Sequence, residues 1–173
     1  MNHTKTIALA AAALLGLAAC GSKEQTFSAA DGSVRATVKE GTKQWLITDA
    51  EGREPMAGYD SMRVVELNEE GSPMTVCYHK GNEQLWLQYY SDMTLRAKGS
   101  VVDGKREGLW TYYHADGSVQ TESNFADGLE DGPYRVYRLG GTPYYIGQYS
   151  HGVRVGTWEV YDADGNLVEE KQF

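Results

Sequence analysis

The chain has 173 residues, room for one ordinary domain, and carries a formal charge of −8 from 24 acidic and 16 basic residues. So acidic a body argues against nucleic acid and against adsorption to anionic lipid headgroups, and the same charge serves solubility. With 20 Gly and 12 Tyr against 3 Phe, the composition favours β-structure with many turns.

In chain order, residues 1–19 come first and stand apart. Lys5 closes a short polar start, an apolar stretch runs from Ile7 to Ala19, and small residues lead into Cys20. This is the three-part pattern of an export signal, expected as a cleaved helix. The stretch falls short of the roughly 20 apolar residues that span a bilayer. A buried core helix is the competing assignment, and the terminal position behind a lysine speaks against it. Leu17-Ala18-Ala19-Cys20 closely resembles the bacterial lipobox. That resemblance implies cleavage before Cys20, acylation of Cys20 (diacylglyceryl and an N-acyl chain such as palmitate), and a membrane partner reached through this lipid. Several acyl chains hold durably where one does not. Gly21 at the following position, by resemblance to enterobacterial sorting, implies the outer membrane of a bacterial cell envelope. Residues 20–26 are then the lipidated Cys and a tether, and loss of residues 1–19 moves the charge to −9. With Cys20 acylated, Cys77 is alone and forms no intramolecular disulfide. In Met74-Thr75-Val76-Cys77-Tyr78 it reads as a small apolar core residue, with a reactive thiol or an intermolecular disulfide as the alternative.

Residues 27–83 form a divergent N-terminal β-hairpin region or cap. Trp45–Gly52 parallels Trp158–Gly165, and Asp31-Gly32-Ser33-Val34 parallels Asp116-Gly117-Ser118-Val119. Glu70-Gly71-Ser72 precedes a further strand with slipped spacing, and Arg53–Asp60 reads as a loop or insertion.

From residue 84 to residue 173 a period of 24 is unbroken. Trp86, Trp110, Tyr134 and Trp158 hold one frame, and Tyr89, Tyr113, Tyr137 and Tyr161 another. Gly104, Gly128 and Gly152 hold a third, and Gly108, Gly132 and Gly156 a fourth. Such self-similarity is the signature of a repeat architecture. One unit reads as a strand Leu109–His114, a turn Ala115–Ser118, a strand Val119–Phe125 and a connection Ala126–Gly132. Alternation puts the Trp frame on one face of the sheet and the Tyr frame on the other. One hairpin cannot bury its own apolar face, so units must stack. The fold class is therefore all-β: an elongated, twisted, single-layer antiparallel sheet of repeated hairpins, without a compact closed core.

The residues Asp103-Gly104, Gly108, Trp110, Tyr113 and Asp116-Gly117, with their copies 24 and 48 residues on, resemble the MORN repeat. More narrowly they resemble the bacterial variant of YwqK-type proteins, often labelled antitoxins of toxin–antitoxin systems. The copy with Trp86, Tyr89 and Asp92 lacks both upstream glycines, where Lys80 and Gln84 stand. The resemblance implies single-layer hairpin sheets used in scaffolding, dimerisation and protein binding. An antitoxin of a cytoplasmic toxin fits poorly with an exported chain.

Chemistry-bearing groups are scattered. His79, His114 and His151 share no metal-ligand spacing, and no nucleophile motif occurs. Cys77 and His79 lie two apart on one strand face. Asp127, Glu130 and Asp131 cluster in one connection and Glu169-Glu170 in the last strand, which raises calcium or glycoside hydrolysis. Asp127-Gly128 recurs as a turn element, so its first meaning is backbone geometry. No catalytic residue, metal ligand or cofactor is expected. The aromatic frames are the candidate binding face: Tyr89, Tyr113, Tyr137, Tyr161, Trp86, Trp110, Tyr134 and Trp158, whose competing role is cross-strand packing. The expectation is a non-catalytic, lipid-anchored module binding or scaffolding a protein or peptide. The alternatives are an antitoxin or immunity-like protein and, third, a glycan-binding or glycan-acting one.

Overall fold

The computed structural model describes residues 24–39, 45–54 and 58–173. The expected signal segment, Cys20 and the first residues of the tether lie outside the described residues. Every regular element described is a strand. A three-stranded sheet comprises β1 (Glu24–Ser28), β2 (Val34–Lys39) and β3 (Trp45–Asp49). A ten-stranded antiparallel sheet follows in strict sequence order. Its first strands are β4 (Ser61–Leu67), β5 (Pro73–Lys80), β6 (Glu83–Tyr89), β7 (Leu95–Val102) and β8 (Lys105–Tyr113). The rest are β9 (Val119–Ala126), β10 (Leu129–Tyr137), β11 (Pro143–Ser150), β12 (Val153–Tyr161) and β13 (Leu167–Gln172). The all-β sheet of consecutive hairpins expected from the 24-residue period is what forms.

Two boundaries differ from expectation. Residues 24–26, assigned to the tether, belong to β1, where Thr26 pairs with Thr37. The connection expected over Ala126–Gly132 is itself a tight hairpin. Asp127 and Gly128 both take positive φ (50° and 86°), as do Asp103-Gly104 and His151-Gly152, and β10 starts at once. Positive φ at both central residues is the type I′ geometry that matches strand twist, and it lets two residues replace seven. The strand then runs through Gly132 with two extra residues opposite Asn124, between the pairs Glu130↔Phe125 and Tyr134↔Ser123. The same excess recurs opposite Gly99 and Gly147.

The other end of each hairpin uses a longer turn. His114 N–H donates to Ser118 O and Gly117 N–H to His114 O. The pattern repeats at Tyr90, Arg138 and Asp162, and also at Asn68 and Asp49. The parallel between Trp45–Gly52 and Trp158–Gly165 is therefore a parallel of turn geometry as well as of sequence. Met93 stands where later copies have Gly117, Gly141 and Gly165, and it accepts φ 68°. A side chain rarely adopts that conformation, and here burial offsets the strain: Met93 is 2% exposed.

Met93 belongs to a core cluster that unites the two sheets. Ala29, Ala36 and Ile47 from the small sheet meet Val76, Tyr78, Leu87 and Tyr89 from the large one. The expectation of a single layer without a closed core thus holds from β8 onward, while the first strands are covered on their tyrosine side. Burial pushes the Tyr78 hydroxyl up to about 12, helped by the charge of Glu54, and pushes Tyr89 up as well. A phenol raised above its unfolded value near 10 stabilises the fold fully below that pH, and the contribution disappears as pH rises through the folded value. Urea midpoints should therefore hold from pH 8 to 9.5 and fall steeply between about pH 10 and 12. Tyr78→Phe should flatten that fall, and an unchanged slope would show that Tyr78 is not held neutral.

Candidate functional site

Cross-strand pairing collects the two aromatic frames on opposite faces, as expected. One row crosses the sheet through Cys77, Trp86 and Gly99, a second through Trp110, Ser123, Tyr134 and Gly147, and a third through Trp158 and Lys171, with the register slipping between them. The extra residues in β8 and β12 fold the indoles of Trp110 and Trp158 flat onto the preceding strand. A Cβ at Gly99 or Gly147 would stand under 3.0 Å from three indole atoms. In the intervening repeat Ser123 holds the glycine's frame and pairs in register with Tyr134. The frame Gly99, Ser123, Gly147 matches the frame Trp110, Tyr134, Trp158 in complementary size.

These rings are sealed from above. Arg106 Cζ lies 4.4 Å from the Trp110 ring and 5.2 Å from Phe125, and an Nη atom donates to Tyr112 Oη at 3.0 Å. Arg154 repeats the arrangement 4.4 Å from Trp158 and 5.6 Å from Phe173. Trp110 is 1% exposed and Trp158 4%. Rings so covered cannot anchor a partner without unpacking the sheet. Trp86 and Tyr134 are half-buried in the same face, with Trp86 Nε1 donating to Gln84 Oε1 at 3.0 Å. Cys77, on this face, is fully buried and burial raises its thiol, which leaves it a packing residue. Its Sγ lies 3.6 Å from Gln84 Oε1.

The tyrosine face is different. Tyr89 is 2% exposed beneath the small sheet and is unavailable for contact. Tyr113, Tyr137 and Tyr161 lie beyond that cover and stay half-buried. Tyr137 Oη donates to Glu122 Oε2 at 3.1 Å and Tyr161 Oη to Glu159 Oε2 at 2.7 Å. Burial first, then the Glu122 bond, raises Tyr137; for Tyr161 the Glu159 bond leads. Lys98 Nζ stands 5.8 Å from the Tyr113 ring. A hollow of about 400 Å³ lies between Tyr113, the Ala30–Ser33 turn and the Asp116-Gly117 turn. Another of about 300 Å³ is lined by Val119, Glu122, Tyr137 and Gly141. Half-buried phenols and carboxylates thus share this face with two cations, Lys98 and Arg135, whose Nη1 lies 3.8 Å from Glu122 Oε2.

Spacing did not reveal a third periodic device. Tyr90 Oη donates to Tyr113 O at 2.7 Å, His114 Nε2 bonds Tyr137 O at 3.2 Å, and Arg138 Nη2 donates to Tyr161 O at 2.9 Å. Residues 90, 114 and 138 hold one frame, and each side chain ties its turn to the carbonyl at the end of the next hairpin. Asp162, next in that frame, instead accepts the N–H groups of Asp164 and Asn166 within its own turn. The sequence signal was the 24-residue spacing itself, hidden because three unlike side chains perform one task. These bonds fix the backbone of the three open tyrosines.

The acidic clusters are spoken for locally. Asp127 pairs with Lys105, Glu130 accepts from Ser123, and Asp131 stands 3.6 Å from His151. Glu169 and Glu170 are exposed on the edge strand β13. Among the described residues no group of three or more acidic, His or Cys side chains is placed to hold a metal ion.

The MORN repeat variant family matches residues 106–127 and 154–173. The chain carries MORN-variant repeats. The two matches fall on the hairpins β8–β9 and β12–β13, so the repeat unit recognised is the structural unit. The intervening hairpin β10–β11 keeps the period but substitutes Tyr134 for Trp and Gly140 for Asp. No curated protein matches the chain. Among solved structures, the chain is similar to a crystal structure of a mutant of S. aureus TarM in complex with Fondaparinux, alpha-GlcNAc-glycerol and UDP. The identity is 8% and the TM-score 0.36, over 76% of this chain and 21% of that one. The chain spans about a fifth of that protein's length, and so low a score carries no argument.

Proposed function

We propose that this chain is a non-catalytic binding module of the bacterial cell envelope, anchored by lipid on Cys20, that holds a protein or peptide against its open tyrosine face. The observation carrying this reading is the division of labour between the frames. Trp110, Trp158 and Tyr89 are consumed by packing, while Tyr113, Tyr137 and Tyr161 sit half-exposed on the opposite face from the tryptophans. Aromatic side chains preorganised in this way lose little entropy on binding and are favoured anchors. The hollows beside them are shallow, which suits an extended segment better than a small substrate.

Triple replacement Tyr113→Ala, Tyr137→Ala, Tyr161→Ala should remove any protein cross-linked to the mature form in its own envelope while the far-UV spectrum is kept. Retention of every cross-linked species would rule out this face. The anchor is checked separately: Cys20→Ser should abolish palmitate labelling and accumulate unprocessed precursor. Labelling that survives this substitution would remove the lipoprotein part of the reading and leave the tyrosine face standing.

A further inference from the structure

Three tyrosines of one frame stand abreast. The pairing Thr111↔Glu122↔Arg135↔Ile146↔Glu159 runs straight across β8 to β12, so residues one repeat apart lie in one row, two strands apart. Tyr113, Tyr137 and Tyr161 each stand two residues beyond that row, on the same face. Each pairs with the first residue of the next strand, Val119, Pro143 and Leu167. Neighbouring strands lie about 4.7–4.9 Å apart, which sets successive tyrosines about 9.4–9.8 Å apart.

A polypeptide that uses all three rings must repeat at that distance. A β-strand returns to one face about every 6.7 Å, and an α-helix about 10.5 Å on, at the seventh residue. A polyproline II helix returns every third residue, about 9.3 Å on. Over two intervals the α-helix overshoots by about 2 Å and the polyproline II helix falls short by less than about 1 Å. The strand presents nothing at the middle ring. Sheet twist also turns each ring by about 40–50° from the one before. A polyproline II chain has no internal hydrogen bonds and follows by about 15° per residue, whereas an α-helix is held straight by its own ladder.

The surroundings suit such a guest. Shallow hollows of about 400 and 300 Å³ beside Tyr113 and Tyr137 leave room for pyrrolidine rings. Glu122 and Glu159 hold the hydroxyls of Tyr137 and Tyr161, so these rings are fixed platforms. Charge selects the flanks. Asp31 and Asp116 line the first hollow, Glu122 lines the second, and Glu159 stands beside Tyr161. Lys98 and Arg135 offset two of these four carboxylates, which leaves an acidic excess on the face.

We infer that the tyrosine face takes a proline-rich segment in the polyproline II conformation, one turn per hairpin, with lysine or arginine at its flanks. The inference rests on the binding role proposed above and names the occupant.

The test is fluorescence anisotropy of labelled peptides titrated with the mature chain at low salt. The probes are lysine-flanked runs of three, six and nine prolines, nine prolines flanked by glutamate, a lysine-flanked Gly-Ser run and a lysine-flanked alanine-rich helix. Affinity should rise by about threefold or more with each added group of three prolines, as each reaches a further ring. Glutamate flanks should weaken binding by about threefold or more, and high salt should shrink that difference. Tyr137→Ala removes the middle platform and should lower the nine-proline peptide by about tenfold, to the level of the three-proline one. Tyr161→Ala, at the last hairpin and outside the core cluster, should lower it only to the level of the six-proline one, which gives a second reading should Tyr137→Ala fail to fold. No binding of the proline peptides, no gain with proline number, equal binding of the Gly-Ser run, or tighter binding of the alanine helix overturns the inference. If the triple tyrosine variant still loses its cross-linked envelope partner, that failure falls on the polyproline conformation alone. If the variant keeps its partner, the tyrosine face falls with it.

Discussion

Gly99→Ala should destabilise the chain by about 3 kcal/mol or more, at the upper end of overpacking penalties. The added methyl would enter the space of the Trp110 indole, which lies flat on the Gly99 backbone and cannot lift without breaking three contacts. Its Nε1 donates to Ser100 O at 3.0 Å, its edge meets Phe125 at a centroid distance of 6.4 Å, and the Arg106 guanidinium lies over it. A single-layer sheet has no second layer to absorb the shift. The protein suggests its own compensating pair, because the same sequence frames hold Ser123 and Tyr134 one repeat on, a larger residue facing a smaller ring. The double variant Gly99→Ser, Trp110→Tyr should therefore recover much of the stability that Gly99→Ser loses alone, measured by urea unfolding. If the two changes add without recovery, the ring-over-backbone account fails, since residues in direct contact should couple.

The complementarity explains why architecture was legible and the site only in part. The period exposes itself wherever one residue type answers one backbone demand, as at the type I′ turns Asp103-Gly104 and Asp127-Gly128. It also placed the Trp and Tyr frames on opposite faces, because alternation along a strand depends on no distant contact. Three things were hidden. The ties from Tyr90, His114 and Arg138 share a frame without sharing chemistry, so no residue pattern marks them. The I′ turn after Ala126 looked like a seven-residue connection because the bulge places Gly132 in a run with Asp127-Gly128. The cover over Tyr89 comes from β1–β3, more than forty residues away, and no local pattern in the repeats records which of four equivalent tyrosines will be roofed.

That roofing leads to the second large effect. Tyr89→Ala should cost about 3–5 kcal/mol, the range for deleting a fully buried aromatic side chain. Tyr161→Ala, in the same sequence frame, should cost far less, because its ring is half-exposed and its Oη bond to Glu159 is only part-buried. The contrast follows from position: Tyr89 belongs to the cluster with Ile47, Met93 and Ala36 that joins the two sheets, whereas Tyr161 lies outside it. Paired urea titrations of the two variants decide it. Equal losses would mean that the repeat frame sets the energetic role of a tyrosine regardless of the cover. Unequal losses in the stated order mean that the N-terminal sheet converts one copy of the repeat into core. The other three then keep the same ring, on the same strand geometry, free to serve as a surface.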